Sequence, residues 1–373
     1  MPATGINTTP SAASGVIFTD CGLRSAAAKR APARKRAKSK SGTGRLPVLI
    51  KGKRVRTIDV HAHCLIAEAL ALLPAAEAKS IYPPTKGSKE FDIVLDERLA
   101  GMDAQGIDME VLSINPWWYG KKDRDLVTEV IQLQNEGLAE LCERQPDRLT
   151  AFASLALQFP DLAVRQLEDA VRKYGLKGAA IGGSVAGFEF ADPKFHKVWA
   201  KAQELDVTLF IHPQSTPELN HRFKGNGWLF NVIGNPLDTT IALEHLIFEG
   251  IFDRFPRLKV CAAHGGGFLG SYAPRMDYGC FVYPGGCNPA IKLKKKPTEY
   301  MKQIFFDSLV FTPEALRHLV AEVGASQVVI GTDHPIPWNE HPVDHIMATK
   351  SLTDKQKAAI LGGNAAKLLG IKF

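Results

Sequence analysis

His61 and His63 stand two residues apart in Asp59-Val60-His61-Ala62-His63, directly after Val55-Arg56-Thr57-Ile58, which reads as a strand. Side chains two apart on a strand share a face. Two imidazoles on one face can grip a single borderline-soft metal ion. A lone His-x-His is common on ordinary surfaces, so its weight depends on its companions. Three follow at the ends of apolar runs. Leu209-Phe210-Ile211 ends at His212-Pro213. Val260-Cys261-Ala262-Ala263 ends at His264-Gly265-Gly266-Gly267. Val328-Val329-Ile330-Gly331-Thr332 ends at Asp333-His334-Pro335. Each histidine alone is more often structural than catalytic. Four strand ends all finishing on a metal ligand or a proton-transfer group point to an enzyme site.

Three imidazoles (His61, His63, His212) and one carboxylate (Asp333) suit a mononuclear divalent site with room for water or substrate. Such an ion lowers the pKa of bound water to about 7 and polarises a substrate oxygen. His264 is then left for general acid/base work. The glycines after it are expected to let substrate approach closely, and to open a helix whose N-terminal amides favour anions.

The elements that must position these residues alternate between strand and helix. Strands are predicted at 55–61, 109–114, 149–155, 177–181, 208–212, 259–264, 304–307 and 328–333. Helical patterns lie between most of them, as at 123–144, 162–174, 193–205 and 313–323. Eight strand-helix repeats argue for an α/β fold closed as a (β/α)8 TIM barrel, with active residues at the C-terminal strand ends. Val48 to Lys53 reads as a hairpin leading into the first strand. Pro83–Gly87 and Gly279–Lys296 lack periodicity and are predicted as long loops.

Hydrophobic residues make up 45% of the 373, enough to bury a large core. No apolar run reaches the roughly 18 residues of a membrane span. The net charge of +7 is unevenly placed: residues 1–56 hold 13 Lys/Arg and one acid, Asp20, leaving 33 basic and 38 acidic residues behind them. Residues 1–45 form a basic, low-complexity leader, expected to be disordered, and 46–373 the catalytic domain. Its purpose is open between a solvated leader, an anion-binding arm and a targeting segment. The mildly acidic body offers no nucleic-acid groove. The six scattered cysteines form no CxxC pair. They read as reduced, mostly buried thiols, which favours the cytoplasm.

The stretches IDVHAH, FIHP, GNPLDTTIALEHLIFEGIFDRFPRLKVCAAHGGG, VVIGTDHPIP and the closing GGNAAKLLG carry a resemblance from about residue 56 to the C-terminus. They resemble the decarboxylase-type branch of the amidohydrolase superfamily, whose members act on carboxymuconate semialdehydes and on γ-resorcylate- or 5-carboxyvanillate-like acids. The resemblance implies metal ligation by His61, His63, His212 and Asp333, and acid/base work by His264. It places Arg98 on a substrate carboxylate, Arg275 in the neighbouring subunit's site and Trp228 beside the substrate. Trp118, in Trp117-Trp118-Tyr119, could help sandwich a planar substrate or pack in the core. The family often has Tyr where His334 stands, so His334 is either a second proton donor or a pocket wall. Retention of both early histidines favours zinc over manganese, with no organic cofactor. The implied activity is non-oxidative decarboxylation of an unsaturated or aromatic carboxylic acid by a homodimer. A metal-dependent hydrolase or hydratase on the same site is the alternative.

Overall fold

The structure is a computed structural model that describes residues 44–81, 95–338 and 341–372. The basic leader through Thr43 and the predicted loop at Pro83–Gly87 lie outside the described residues.

Eight parallel strands form the barrel: β1 (Ile58–His63), β2 (Met109–Ser113), β3 (Leu149–Ala151), β4 (Gly178–Ile181), β5 (Thr208–Ile211), β6 (Lys259–Ala262), β7 (Ile304–Asp307) and β8 (Val328–Val329). Strands β1 to β3 pair in order, and β4 to β8 pair in order. Parallel bridges Ala153↔Ala179 at one seam, and Asp59↔Ile330 with Ala62↔His334 at the other, close the ring. The expected strands are all present, several of them shorter. The last regular pairing of β8 stops at Val329, and the chain reaches Asp333 through bridges to β1. The antiparallel pair Leu49–Ile50 and Lys53–Arg54 precedes β1, as expected.

Around the ring run α1 (Leu95–Gln105), α2 (Arg124–Arg144), α3 (Pro160–Arg172), α4 (His196–Glu204), α5 (Asn235–Phe248), α6 (Ala273–Val282) and α7 (Pro313–Val323). Their starts follow local chemistry. The Asp123 carboxylate accepts the amides of Asp125 and Leu126, and the Thr312 hydroxyl accepts that of Ala315 ahead of Pro313. Side-chain oxygens thus satisfy donors that the first turn leaves free.

Two apolar layers flank the strands. Ile58, Val60, Val111, Phe152, Phe210 and Val329 fill the barrel's lower interior with Leu368 and Leu369 of the closing helix α8 (Asn364–Leu369). Gly362, just ahead of α8, is required there, since a Cβ would come within 2.3 Å of the Arg56 carbonyl oxygen. The larger layer lies between strands and helices.

Two expectations need correction here. Cys280 and Cys287 form a disulfide, so not all six cysteines are free; Cys64, Cys142 and Cys261 are. The predicted loop from Gly279 begins inside α6, which runs to Val282. Beyond it the chain is held by the disulfide and by the Tyr300 hydroxyl, which accepts the Lys294 and Lys295 amides and donates to Asp253.

Candidate active site

His61, His63, His212 and Asp333 converge at the C-terminal mouth of the barrel, with donor atoms all within 4.8 Å of one another and all four residues buried. A register shift between Asp59 and Ala62 makes this possible on β1. It lets Val60 point into the core below while His61 and His63 both face the site, a re-aiming that bulges perform. Asp333 Oδ1 lies 3.2 Å from His61 Nε2, 2.9 Å from His63 Nε2 and 3.9 Å from His212 Nε2. Ligands about 2.0–2.1 Å from one ion stand about 2.9–3.4 Å apart, so the cluster needs little adjustment to close on a cation. The donor set fits on two further counts. Neither ring nitrogen of buried His212 has a hydrogen-bond partner. Burial, with His63 and His61 adding to it, also pushes His212 well below its ordinary pKa, leaving a neutral imidazole ready to ligate.

The electrostatics demand a positive charge. Burial lowers His61, but Asp333 and Asp307 outweigh it and pull its pKa up to about 10. Burial likewise opposes ionisation of Asp333, yet His61, His264 and His63 hold it well below the usual carboxylate range. A cation held by these residues would supply that charge in place of the His61 proton.

The two ligands on β1 are each aimed by a partner behind them. Asp307 Oδ2 lies 2.6 Å from His61 Nδ1 and Ser113 Oγ 3.1 Å from His63 Nδ1, which turns both Nε2 atoms to the centre. Asp59 Oδ1 accepts the amides of His61 and Thr332, and its Oδ2 accepts the Thr332 hydroxyl, tying β1 to the segment that carries Asp333. Burial with Glu110 nearby pushes Asp59 up to about 8, against those hydrogen bonds.

His264 completes the mouth. Its Nε2 lies 3.9 Å from Asp333 Oδ2, and its Nδ1 is buried without a partner. The backbone at His264 (φ 56°) and Asp333 (φ 61°) is left-handed. That conformation is costly outside glycine and is held by surrounding bonds. The glycines that follow lie in a single 3-10 turn (His264–Gly266) with left-handed backbone and do not open an α-helix. The His264 and Gly265 amides donate to Asp307, so they are not offered to a substrate anion. Gly267 is required by close approach, because a Cβ would meet the Pro236 carbonyl oxygen at 2.0 Å.

Other expected site residues fall elsewhere. Arg98 is buried behind β1. Its Nε donates to Glu110 Oε2 at 2.6 Å and its Nη1 to the His63 carbonyl at 2.8 Å. His334 turns to the same Glu110, Nδ1 to Oε1 at 2.7 Å, with Nε2 toward Gly101 of α1. Burial opposes ionisation of Glu110, but Arg98 and His334 hold its pKa down at about 2. Arg98 and His334 therefore brace the metal strands. Trp118 is fully buried and its Nε1 donates to the Leu155 carbonyl, so it packs the core and does not sandwich a substrate. Arg275 is exposed on α6.

Trp228 stacks on Trp338 (centroids 5.6 Å, 24° between planes). Trp338 reaches the site itself, its Nε1 donating to Asp333 Oδ2 at 2.6 Å. A cavity of about 260 Å³ opens beside His264, walled by Val232, Phe268, Leu309, Phe311 and Trp338. Asn231 and Asn235 are the other polar groups at its edge.

Residues 58–371 match the amidohydrolase family model. The chain belongs to the amidohydrolase family. It is 32% identical over 279 residues to 2-amino-3-carboxymuconate-6-semialdehyde decarboxylase of Dictyostelium discoideum, covering 74% of this chain and 76% of that one. Among solved structures, 5-carboxyvanillate decarboxylase from Sphingomonas paucimobilis superposes with a TM-score of 0.77 at 26% identity, over 85% of this chain and 100% of the other. Dihydroxybenzoic acid decarboxylase from Polaromonas, with bound manganese and the inhibitor 2-nitroresorcinol, gives 0.72 at 25% identity, over 85% and 97%.

Sequence reasoning missed Asp307, Glu110 and Trp338. Asp307 had a usable signal, since it ends the seventh strand as His212 ends beyond the fifth. Trp338 had none, because its contact with Asp333 depends on the fold of the turn between them.

Proposed function

We propose that this amidohydrolase is a metal-dependent, non-oxidative decarboxylase of an aromatic acid bearing a single carboxylate. The observation that carries this reading is the apolar, partly aromatic cavity lined by His264 and Trp338, both of which reach Asp333 of the metal-ligand cluster. A planar ring fits such walls. Arg98, expected to hold a second carboxylate, commits Nε and Nη1 to Glu110 and the His63 carbonyl, which leaves Nη2 alone and no two-pronged fork for a substrate. That favours a hydroxybenzoate-like acid over a dicarboxylic semialdehyde.

His61, His63, His212 and Asp333 would hold one divalent ion, zinc by the donor set, with manganese the rival that the Polaromonas enzyme supports. Bound there, the ion would supply Lewis-acid polarisation of the acid's oxygens. The protein's own part is proton movement and orientation. His264, facing the cavity, gives a proton to the ring carbon that bears the carboxylate. The C–C bond then breaks, its electron pair returns to the ring, and carbon dioxide leaves. Asp333 Oδ2, 3.9 Å from His264 Nε2, steadies the imidazole for that transfer. The apolar walls keep water from the charged intermediate.

A homodimer completes the reading. Around Arg275, α6 and its continuation expose Tyr278, Phe281 (81%) and Val282 (74%), apolar side chains that a partner subunit would cover. Arg275 would serve the partner's site. For the compartment, the free Cys64, Cys142 and Cys261 favour the cytoplasm, and the Cys280–Cys287 bond weighs against it.

The deciding experiment measures carbon dioxide release and bound metal on one sample across hydroxybenzoates and carboxymuconate semialdehydes. Release from a hydroxybenzoate, abolished by chelation, is expected. Metal-loaded protein that releases none from any of them would overturn the reading and leave the hydrolase alternative. His264→Ala should retain metal and lose turnover.

A further inference from the structure

Trp338 joins two features that the proposed reaction treats separately, the metal carboxylate and the cavity wall. Its indole N–H donates to Asp333 Oδ2 at 2.6 Å. The ring forms part of the cavity beside His264. It is backed by Trp228 in a near-parallel stack and met by the edge of Phe311 at 6.0 Å. A local turn sets its place: the Ile336 amide donates to the Asp333 carbonyl and the Trp338 amide to the Ile336 carbonyl. Ligand and wall are thus five residues apart on one short, internally bonded segment.

The two carboxylate oxygens of Asp333 are divided between different partners. Oδ1 is the atom near the Nε2 of His61, His63 and His212. Oδ2 is held by Trp338, with His264 Nε2 at 3.9 Å. A charge-assisted N–H to carboxylate bond of this length is strong enough to fix the carboxylate plane. We propose that Trp338 is a positioning and specificity residue: it holds Asp333 Oδ2 so that only Oδ1 is presented to the cation, and its ring face forms the surface on which an aromatic substrate stacks. A carboxylate held this way would offer a cation one oxygen, the other being occupied by the indole N–H. The stack on Trp228 gives the wall a rigidity that one exposed indole lacks, because two rings must move together. Bulky or non-planar acids would be rejected at this wall.

The first half of the inference stands on the metal site alone. The second rests on the aromatic-acid reading above, and the test separates the two. Trp338→Phe removes the N–H and keeps a ring. Trp338→Leu removes both. Trp338 is only half-buried, so both variants should fold, which circular dichroism checks, with Trp338→Met in reserve for the leucine variant. Manganese affinity is read by chelator competition, without turnover. Loss of an outer hydrogen bond to a ligand should weaken it by about 10- to 100-fold in both variants. Binding of 2,6-dihydroxybenzoate to the manganese-saturated proteins is read by equilibrium dialysis. The phenylalanine variant should bind within about threefold of the parent, and the leucine variant about two- to tenfold more weakly than the phenylalanine one. Unchanged manganese affinity in Trp338→Phe overturns the positioning role whatever the substrate proves to be. Equal dihydroxybenzoate binding by the phenylalanine and leucine variants, or none by the parent, overturns the wall.

Discussion

Asp307→Asn is the most informative single change to the site, because one carboxylate serves four donors. Oδ2 faces His61 Nδ1 at 2.6 Å and the His264 amide at 2.9 Å, while Oδ1 accepts the Gly265 and Leu309 amides at 2.9 and 3.0 Å. An asparagine has one accepting oxygen. With its carbonyl toward His61, its NH₂ opposes the two amides of Gly265 and Leu309. With the group flipped, the NH₂ opposes the His264 amide and donates to His61 Nδ1. His61 would then carry its proton on Nε2, the atom the cation needs. Each buried donor left without an acceptor costs about 1–3 kcal/mol, so the change should destabilise the fold by about 2–6 kcal/mol. For a barrel of this size that is a fall in Tm of roughly 3–9 °C. Metal affinity should drop by about 10- to 100-fold, the usual effect of losing a carboxylate behind a ligating histidine. Thermal unfolding with metal present and absent, together with chelator competition, measures both. Metal affinity within about twofold of the parent, with an unchanged Tm, would refute the view that Asp307 orients His61.

Other consequences follow from the same buried charges. Arg98→Met strands Glu110 with only His334 for a partner and should cost about 3–5 kcal/mol in urea unfolding, with KM of the folded fraction unchanged. A raised KM at normal stability would return Arg98 to the substrate. Glu244 on α5 has its pKa pushed up to about 7 by burial alone. The native carboxyl therefore stays protonated where the unfolded one ionises, and stability falls as pH rises from about 4.5 to about 7. Glu244→Gln should accordingly gain about 1 kcal/mol at pH 8, after allowance for solvent screening, and nothing at pH 4. Because the cation replaces a proton on His61, whose pKa is about 10, metal affinity should rise by about one log unit per pH unit between pH 7 and 9, which competition at three pH values reads. Thiol titration of denatured protein should gain two groups on reduction, from Cys280 and Cys287.

Much of the site was legible because barrel chemistry collects at strand ends. His61, His63, His212, His264 and Asp333 each close an apolar run, and period-two alternation puts the first pair on one face, although the register shift that turns that face to the site is not visible in it. What escaped was set by contacts between strands. Asp59 lies within the founding motif, yet its task of gripping Thr332 depends on which strands meet at the barrel seam. Arg98 looked free for substrate because helix periodicity does not show that β2 places Glu110 behind it. Trp118 and Trp338 are alike in composition and opposite in role: one donates to a core carbonyl, the other to a metal ligand. The disulfide was hidden for a similar reason, since seven residues of separation make no recognised motif.

The seam between β1 and β8 explains why so much buried charge is tolerated. Among the described residues the barrel closes there through the bridges Asp59↔Ile330 and Ala62↔His334. The two ligands from β1 and the one from beyond β8 sit on either side of it. Asp59 ties the strands through Thr332, and Glu110 ties them again from outside through His334 and Arg98, the latter holding the His63 carbonyl. Asp307 adds the link from β7 to His61 and His264. Apolar residues could pack these positions at less desolvation cost, but they could not fix the angles of three histidines and a carboxylate. The carboxylates hold the seam in the one register that brings Asp333 to His61 and His63, and metal binding should in turn stabilise the strands that it bridges.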